Sequence, residues 1–158
     1  MLRKLCNSDF QELMAVRYLL QGTALRASVD KGGPDWENAV EAAFEAMSAF
    51  DTEKSNDPAN LFPLYKEFHL ALIADCGVRR LIEFVDMTLD QCAAYFPPGA
   101  SNDGAKVRKS LDYWLDREGH GRLLAAALKR DAEAASEQLS IHLLARNFTT
   151  PEDAPRVN

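Results

Sequence analysis

Three histidines, His69, His120 and His142, are the only imidazoles in this chain of 158 residues, and they are its sharpest pointer to chemistry. Each falls on a separate stretch of helical periodicity, and each sits on that stretch's apolar face. Three imidazoles aimed at one interior are the donor set a buried divalent metal needs. Imidazole suits zinc, nickel, copper or iron, and three protein nitrogens leave positions open for water or substrate. The alternative is three ordinary core histidines, each satisfied by one hydrogen bond. Burying several imidazoles costs free energy unless each finds a partner. No compact ligand motif such as H-E-x-x-H accompanies them, so spacing alone leaves both readings open.

The elements that must position these residues read as helices throughout. Runs of Ala, Leu, Glu and Arg dominate, and no Val/Ile/Thr alternation reads as a strand. A first helix is expected over residues 8–30, capped by Ser8 or Asn7, with Phe10, Leu13, Val16, Leu20, Thr23 and Ala24 along one stripe. Lys31-Gly32-Gly33-Pro34 ends it. A second follows to about Phe50, with Trp36, Val40, Ala43, Phe44 and Met47 inward. A third, over 59–75, turns Phe62, Tyr65, His69, Leu72 and Ile73 inward, and Pro63 is tolerable only near its start. A fourth, over 78–95, carries Leu81, Phe84, Val85, Thr88 and Cys92 on one side and stops at Pro97-Pro98-Gly99, followed by a surface turn. A fifth starts near Ala105 with Val107, Leu111 and Trp114, and a break is expected around Gly119. The next run places His120, Leu123, Leu124, Ala127 and Leu128 on one face, and Asp131 opens a last helix to about Asn147 with Ala135, Leu139, His142 and Leu143 inward. Residues 149–158 are polar, contain two prolines and are expected to form a loose tail. The expectation is all-α: one domain, an antiparallel bundle of six or seven helices.

Composition narrows the function classes. Hydrophobic residues make up 47% and charged residues 27%, a globular balance, and no apolar stretch approaches the ~20 residues of a membrane span. Eighteen Lys and Arg against 24 Asp and Glu give a net charge of −6, a poor surface for direct DNA or RNA binding. Three widely spaced cysteines, Cys6, Cys76 and Cys92, argue for a reducing, cytoplasmic setting rather than a disulfide framework.

The residues around the histidines resemble a known family. Tyr65-Lys66-Glu67-Phe68-His69-Leu70-Ala71-Leu72 is similar to the D-x-x-F-H-x-A-L motif of the FCD domain, the effector-binding part of the FadR branch of GntR transcriptional regulators. Glu118 to Asp131 is similar to that family's E-H-x-x-I-L-x-A-I-x-x-G-D segment, with Leu123-Leu124 in the I-L positions. Asp131 to Ala135 followed by His142-Leu143 resembles its closing D-x-x-x-A…H-L helix, and Arg17 to Gln21 resembles R-x-x-L-E in its first helix. The resemblance spans residues 8–147. It implies a helical bundle enclosing a central pocket, in which a divalent metal, zinc or nickel, is held by His69, His120 and His142. It also implies a small carboxylate effector bound at or beside the metal, a homodimer, and DNA contact only through an N-terminal winged helix-turn-helix that this chain lacks.

This chain departs from the family pattern at informative positions. Tyr65 stands where the family has its Asp ligand, and a phenol with a reference pKa near ~10 ligates only at a cost. Tyr65 is therefore expected to line the pocket or hydrogen-bond the effector, beside Gln21, which replaces the usual Glu. Arg17 is expected to clamp a carboxylate through its planar fork. Gly119 replaces a Glu and Val78 an Asn. The function expected is a ligand-sensing regulatory domain, not an enzyme. The rivals are a metal-dependent hydrolase or lyase, for which Glu67 and Glu118 are poorly placed as bases, and a metal-free interaction bundle.

Overall fold

The computed structural model describes residues 6–55, 57–96 and 104–145, and among them every regular element is helical. The order is α1 (Asn7–Lys31), α2 (Pro34–Ser48), α3 (Pro58–Ala71), α4 (Arg79–Cys92) with a 3-10 turn at Ala93–Tyr95, α5 (Gly104–Leu115), α6 (Arg117–Leu128) and α7 (Ala132–Leu144). The expected all-α bundle is thus observed. The stop at Pro97-Pro98-Gly99, the turn after it, the end of the last helix at Asn147 and the tail at 149–158 lie outside the described residues.

Local chemistry sets most boundaries. Asp57 caps α3 by accepting from the Ala59 amide at 2.9 Å, and Asp131 caps α7 by accepting from the Ala134 amide at 2.9 Å. Pro34 and Pro58 open α2 and α3, where a missing N–H costs nothing. Gly77, at φ 78°, turns the chain between α3 and α4. Arg130 takes φ 61° between α6 and α7, a conformation held by its hydrogen bonds to Glu37 and to the Val29 carbonyl and by its cation stacked 5.0 Å over Trp36. Cys6, not Ser8 or Asn7, is the N-cap of α1, and its side chain makes no capping bond.

α1 is the central strut, packed on α7 along one side and α4 along another, while α2 packs on α3 and α6. Its buried face differs from the stripe expected. Phe10, Met14, Arg17, Gln21, Leu25 and Ser28 face inward, Val16 is 49% exposed, and Leu20 and Thr23 are not buried. The misreading has a physical source: α1 carries apolar residues on all sides, so hydrophobic periodicity cannot choose a face. Phe84 likewise points outward at 53% exposure, and α3 ends at Ala71, after which residues 72–75 form turns that still bury Leu72 and Ile73. Phe62, Leu124 and Leu128 are half-buried rather than core.

One hydrophobic cluster runs through the bundle. At one end Trp114 stacks on Phe96 at 4.3 Å and meets Phe10 edge-on at 6.0 Å. At the other, Trp36 donates its indole N–H to the Ala71 carbonyl at 3.0 Å. That bond pins the ring where a Cβ on Gly32 would meet it at 2.6 Å. Gly32→Ala should therefore cost about 1–3 kcal/mol by overpacking, measured as a lower urea midpoint at unchanged slope.

Candidate metal centre

The helices bring all three histidines to one place. His69 on α3 and His120 on α6 are fully buried, and His142 on α7 is 3% exposed. One ring nitrogen from each lies within 4.8 Å of the other two, and the His69 and His120 Nε2 atoms are 3.2 Å apart. The His120 and His142 rings lie 4.1 Å apart, centroid to centroid.

A helix break orients two of the three. The sequence suggested a break at Gly119; it falls at Asp116, which takes the left-handed conformation with φ 31°. Asp116 then caps α6, its Oδ1 accepting from the Gly119 amide at 3.1 Å. The Leu115 carbonyl accepts instead from His120 Nδ1 at 2.6 Å, and the Asp116 carbonyl lies 3.1 Å from the same nitrogen. Carbonyl oxygens only accept, so His120 Nδ1 carries the proton and Nε2 keeps its lone pair. The other Asp116 oxygen sits 3.3 Å from His142 Nδ1, which places the proton on that nitrogen too. Gly119 makes room for this carboxylate: a Cβ there would lie 2.1 Å from Asp116 Oδ2.

The third histidine belongs to a second polar group. Gln21 Nε2 lies 2.9 Å from His69 Nδ1, and Gln21 Oε1 accepts from Arg17 Nε at 3.0 Å. Arg17 Nη1 donates to the Tyr65 hydroxyl at 2.7 Å and reaches Cys92 Sγ at 3.7 Å. Arg17, Gln21 and Tyr65 are all fully buried. Burial works against the charge of Arg17, but its contacts with Tyr65 and Cys92 outweigh that and leave its pKa above the ordinary value. Burial pushes the Cys92 thiol up, with Arg17 opposing, so Cys92 serves as a neutral partner. No carboxylate among the described residues pairs with this guanidinium, and its Nη2 is buried without a hydrogen-bond partner.

All six residues singled out in the sequence thus meet in one buried network running from Cys92 and Arg17 through Gln21 and His69 to His120 and His142. A cleft of about 290 Å³ reaches it from the surface, with Tyr113, Asp116, Gly119, Arg122 and His142 in its lining. Asp116 is the site residue that sequence reasoning missed. The one signal for it was an Asp directly before a helical run, which is an N-cap pattern and says nothing of the reach to His142.

Comparison with known proteins places this architecture. The family model of the FCD domain matches residues 12–145. The chain belongs to the FCD domain family. This FCD domain is 31% identical over 139 residues to an HTH-type transcriptional regulator, BphR, of Paraburkholderia xenovorans, covering 85% of this chain and 54% of that protein. It is 28% identical over 148 residues to the HTH-type transcriptional repressor GlaR of Escherichia coli, covering 89% of this chain and 65% of that protein. The chain therefore spans between half and two thirds of the length of these relatives. A solved structure of a GntR-family transcriptional regulator from Pseudomonas syringae superposes with a TM-score of 0.65 at 24% identity, over 90% of this chain and 55% of that one, and supports the fold.

The donor set of this FCD domain fits a metal. Two nitrogens at ~2.0–2.1 Å from a tetrahedral zinc lie about 3.3 Å apart, close to the 3.2 Å between His69 and His120. The 4.8 Å limit on the whole set asks for a small contraction around an ion. Acceptors hold the Nδ1 protons of His120 and His142, the outer support that metal-binding imidazoles commonly have, and in the neutral rings Nε2 then presents a lone pair. The Tyr65 hydroxyl, at the position of the family's Asp, accepts from Arg17. The placement of Asp116 gives a stability test. Ala is a better helix former than Gly by roughly 1 kcal/mol, yet Gly119→Ala should destabilise by about 1–3 kcal/mol because the carboxylate must move. Asp116→Asn, which keeps the cap and tolerates the left-handed backbone, should cost less. A urea melt in which Gly119→Ala is more stable than the parent would show that the carboxylate is not held there.

Proposed function

We propose that this FCD domain is the ligand-sensing regulatory part of a GntR/FadR-type transcriptional regulator, binding a small carboxylate metabolite at or beside a divalent metal. His69, His120 and His142 hold the metal, zinc or nickel, which when bound supplies fixed positive charge and open coordination positions to an anionic ligand. The observation that carries this reading is Arg17, a fully buried cation that lies beside a three-histidine cluster, has an unpartnered nitrogen and pairs with no carboxylate among the described residues. Burying a charge costs on the order of several kcal/mol. A ligand carboxylate repays it by accepting two parallel bonds from the guanidinium.

Each remaining residue has a part. Tyr65 holds Arg17 in place through its hydroxyl, with its ring 4.5 Å from that of His69. Gln21 ties Arg17 to His69. Asp116 orients His142 and is also the cap of α6, an arrangement that favours sensing over catalysis, because the carboxylate nearest the cluster is already committed. Ligand binding changes the output only by favouring one of two conformations. Helices α1, α3, α6 and α7 all place side chains in this network, so a ligand there can bias their relative positions. DNA contact belongs to a helix-turn-helix outside this chain, as the names of the HTH-type relatives suggest.

Self-association fits the same reading. Arg17 meets Cys92 and Lys31 meets Cys76, so α1 and α4 run antiparallel. Their outer faces expose Val16, Leu19 (68%), Phe84 and Met87 (56%), which is more apolar surface than scattered single residues. A homodimer through this pair is the proposed assembly, and Leu19→Asp with Phe84→Asp should shift sedimentation from dimer to monomer. A monomeric parent would remove the dimer from the proposal.

The metal reading is tested by elemental analysis of untagged protein never exposed to a metal column, beside His69→Ala. Near-stoichiometric zinc or nickel should fall sharply in the variant. Zinc at ~100 times its Kd should add about 2.7 kcal/mol and raise Tm by roughly 5–10 °C, with EDTA reversing the gain. Protein that takes up no divalent metal even after incubation would overturn the metal-centred mechanism.

A further inference from the structure

We propose that Gln21 is an amide switch that couples anion capture at Arg17 to metal capture at His69. The inference rests on the metal-site reading above and specifies how that site is regulated from inside.

The hydrogen bonds around Gln21 determine where the protons lie. A guanidinium has five donors and no acceptor. The oxygen of Gln21 must therefore face Arg17 Nε, 3.0 Å away, and its NH2 must face His69 Nδ1, 2.9 Å away. A donor aimed at Nδ1 makes that nitrogen an acceptor, so neutral His69 carries its proton on Nε2. That Nε2–H points at His120 Nε2, 3.2 Å away, which holds a lone pair because its Nδ1 proton is given to the Leu115 carbonyl. In this arrangement each of these donors meets an acceptor.

That arrangement shields the metal site. Of the three histidines, His120 and His142 are oriented to offer Nε2, while His69 has its Nε2 protonated. His69 can ligate through Nε2 only after that proton has moved to Nδ1. The ring is neutral before and after, and no proton is released to solvent. Its new Nδ1–H then faces the NH2 of Gln21, donor against donor. Rotating the amide by half a turn gives His69 the oxygen it needs, but turns the NH2 onto Arg17 Nε and repeats the conflict there. The conflict ends when Arg17 Nε finds another acceptor. Its Nη2 is already a buried donor with no partner, and a carboxylate accepts from Nε and Nη2 together. Anion and metal therefore draw on the same amide, and by linkage each strengthens the binding of the other.

The experiment uses the 15N-labelled 158-residue chain. Without metal, long-range 1H–15N correlation should find His69, assigned by its loss in His69→Phe, as the Nε2–H tautomer, and His120 and His142 as Nδ1–H. Zinc should convert His69 to Nδ1–H. Gln21→Glu accepts from both neighbours, so its His69 should be Nδ1–H before any metal is added. Sodium acetate should raise the zinc affinity of the parent about fivefold or more, and that of Gln21→Glu by less than twofold. An Nδ1–H tautomer of His69 in the metal-free parent overturns the switch while leaving the metal site intact, and this measurement needs no Gln21 variant to fold. An equal acetate gain in both proteins, meaning acetate acts on the metal alone, also overturns it. Failure of zinc to bind the parent overturns the metal reading and the switch together.

Discussion

A cation has been placed where water cannot reach it, and much of the interior is arranged around that fact. Arg17 is fully buried on α1, and its hydrogen-bond partners among the described residues, Gln21, Tyr65 and Cys92, include no carboxylate. Neutral partners lower the cost of burying a guanidinium without cancelling its charge. The same requirement shapes α1. Arg17, Gln21 and Ser28 occupy its inward face, so apolar residues such as Val16 and Leu19 are carried on the outward one. The buried polar network and the exposed apolar surface are two sides of one helix.

The histidines were legible in the sequence because each lies on a helix whose apolar face is clear. Leu72 and Ile73 accompany His69, Leu123 accompanies His120, and Leu139 and Leu143 accompany His142, and all are core residues. Trp36, Val40 and Met47 on α2 were legible for the same reason. α1 was not, because its burial follows from a charge that needs neighbours on two other helices, Tyr65 on α3 and Cys92 on α4, and no local pattern records such neighbours. Phe84 was misplaced because a helix with an apolar face on each side of a boundary does not say which side meets the bundle. Asp116 was missed for a different reason. Its reach to His142 spans 26 residues and depends on a backbone conformation that ordinary spacing rules do not anticipate.

The break at Asp116 has two roles in the site. It frees a backbone carbonyl for His120 and aims a carboxylate at His142, and the second of these depends on the absent side chain of Gly119. A continuous α5–α6 helix would pair the Leu115 carbonyl within its own ladder and leave His120 Nδ1 without that acceptor. Loss of regular structure at one residue thus serves two of the three imidazoles.

The same break has a mechanical side. α5 is 12 residues long, about 18 Å at 1.5 Å per residue, lies on the core through Val107, Leu111 and Trp114, and ends at the corner at Asp116 beside the histidine cluster. That corner is the point about which α5 would pivot if it shifted over the core. A tilt of about 5° at the corner would sweep the far end of α5 through roughly 1.6 Å, so an angular change too small to disturb the packing around His142 becomes a displacement that a neighbouring surface can read.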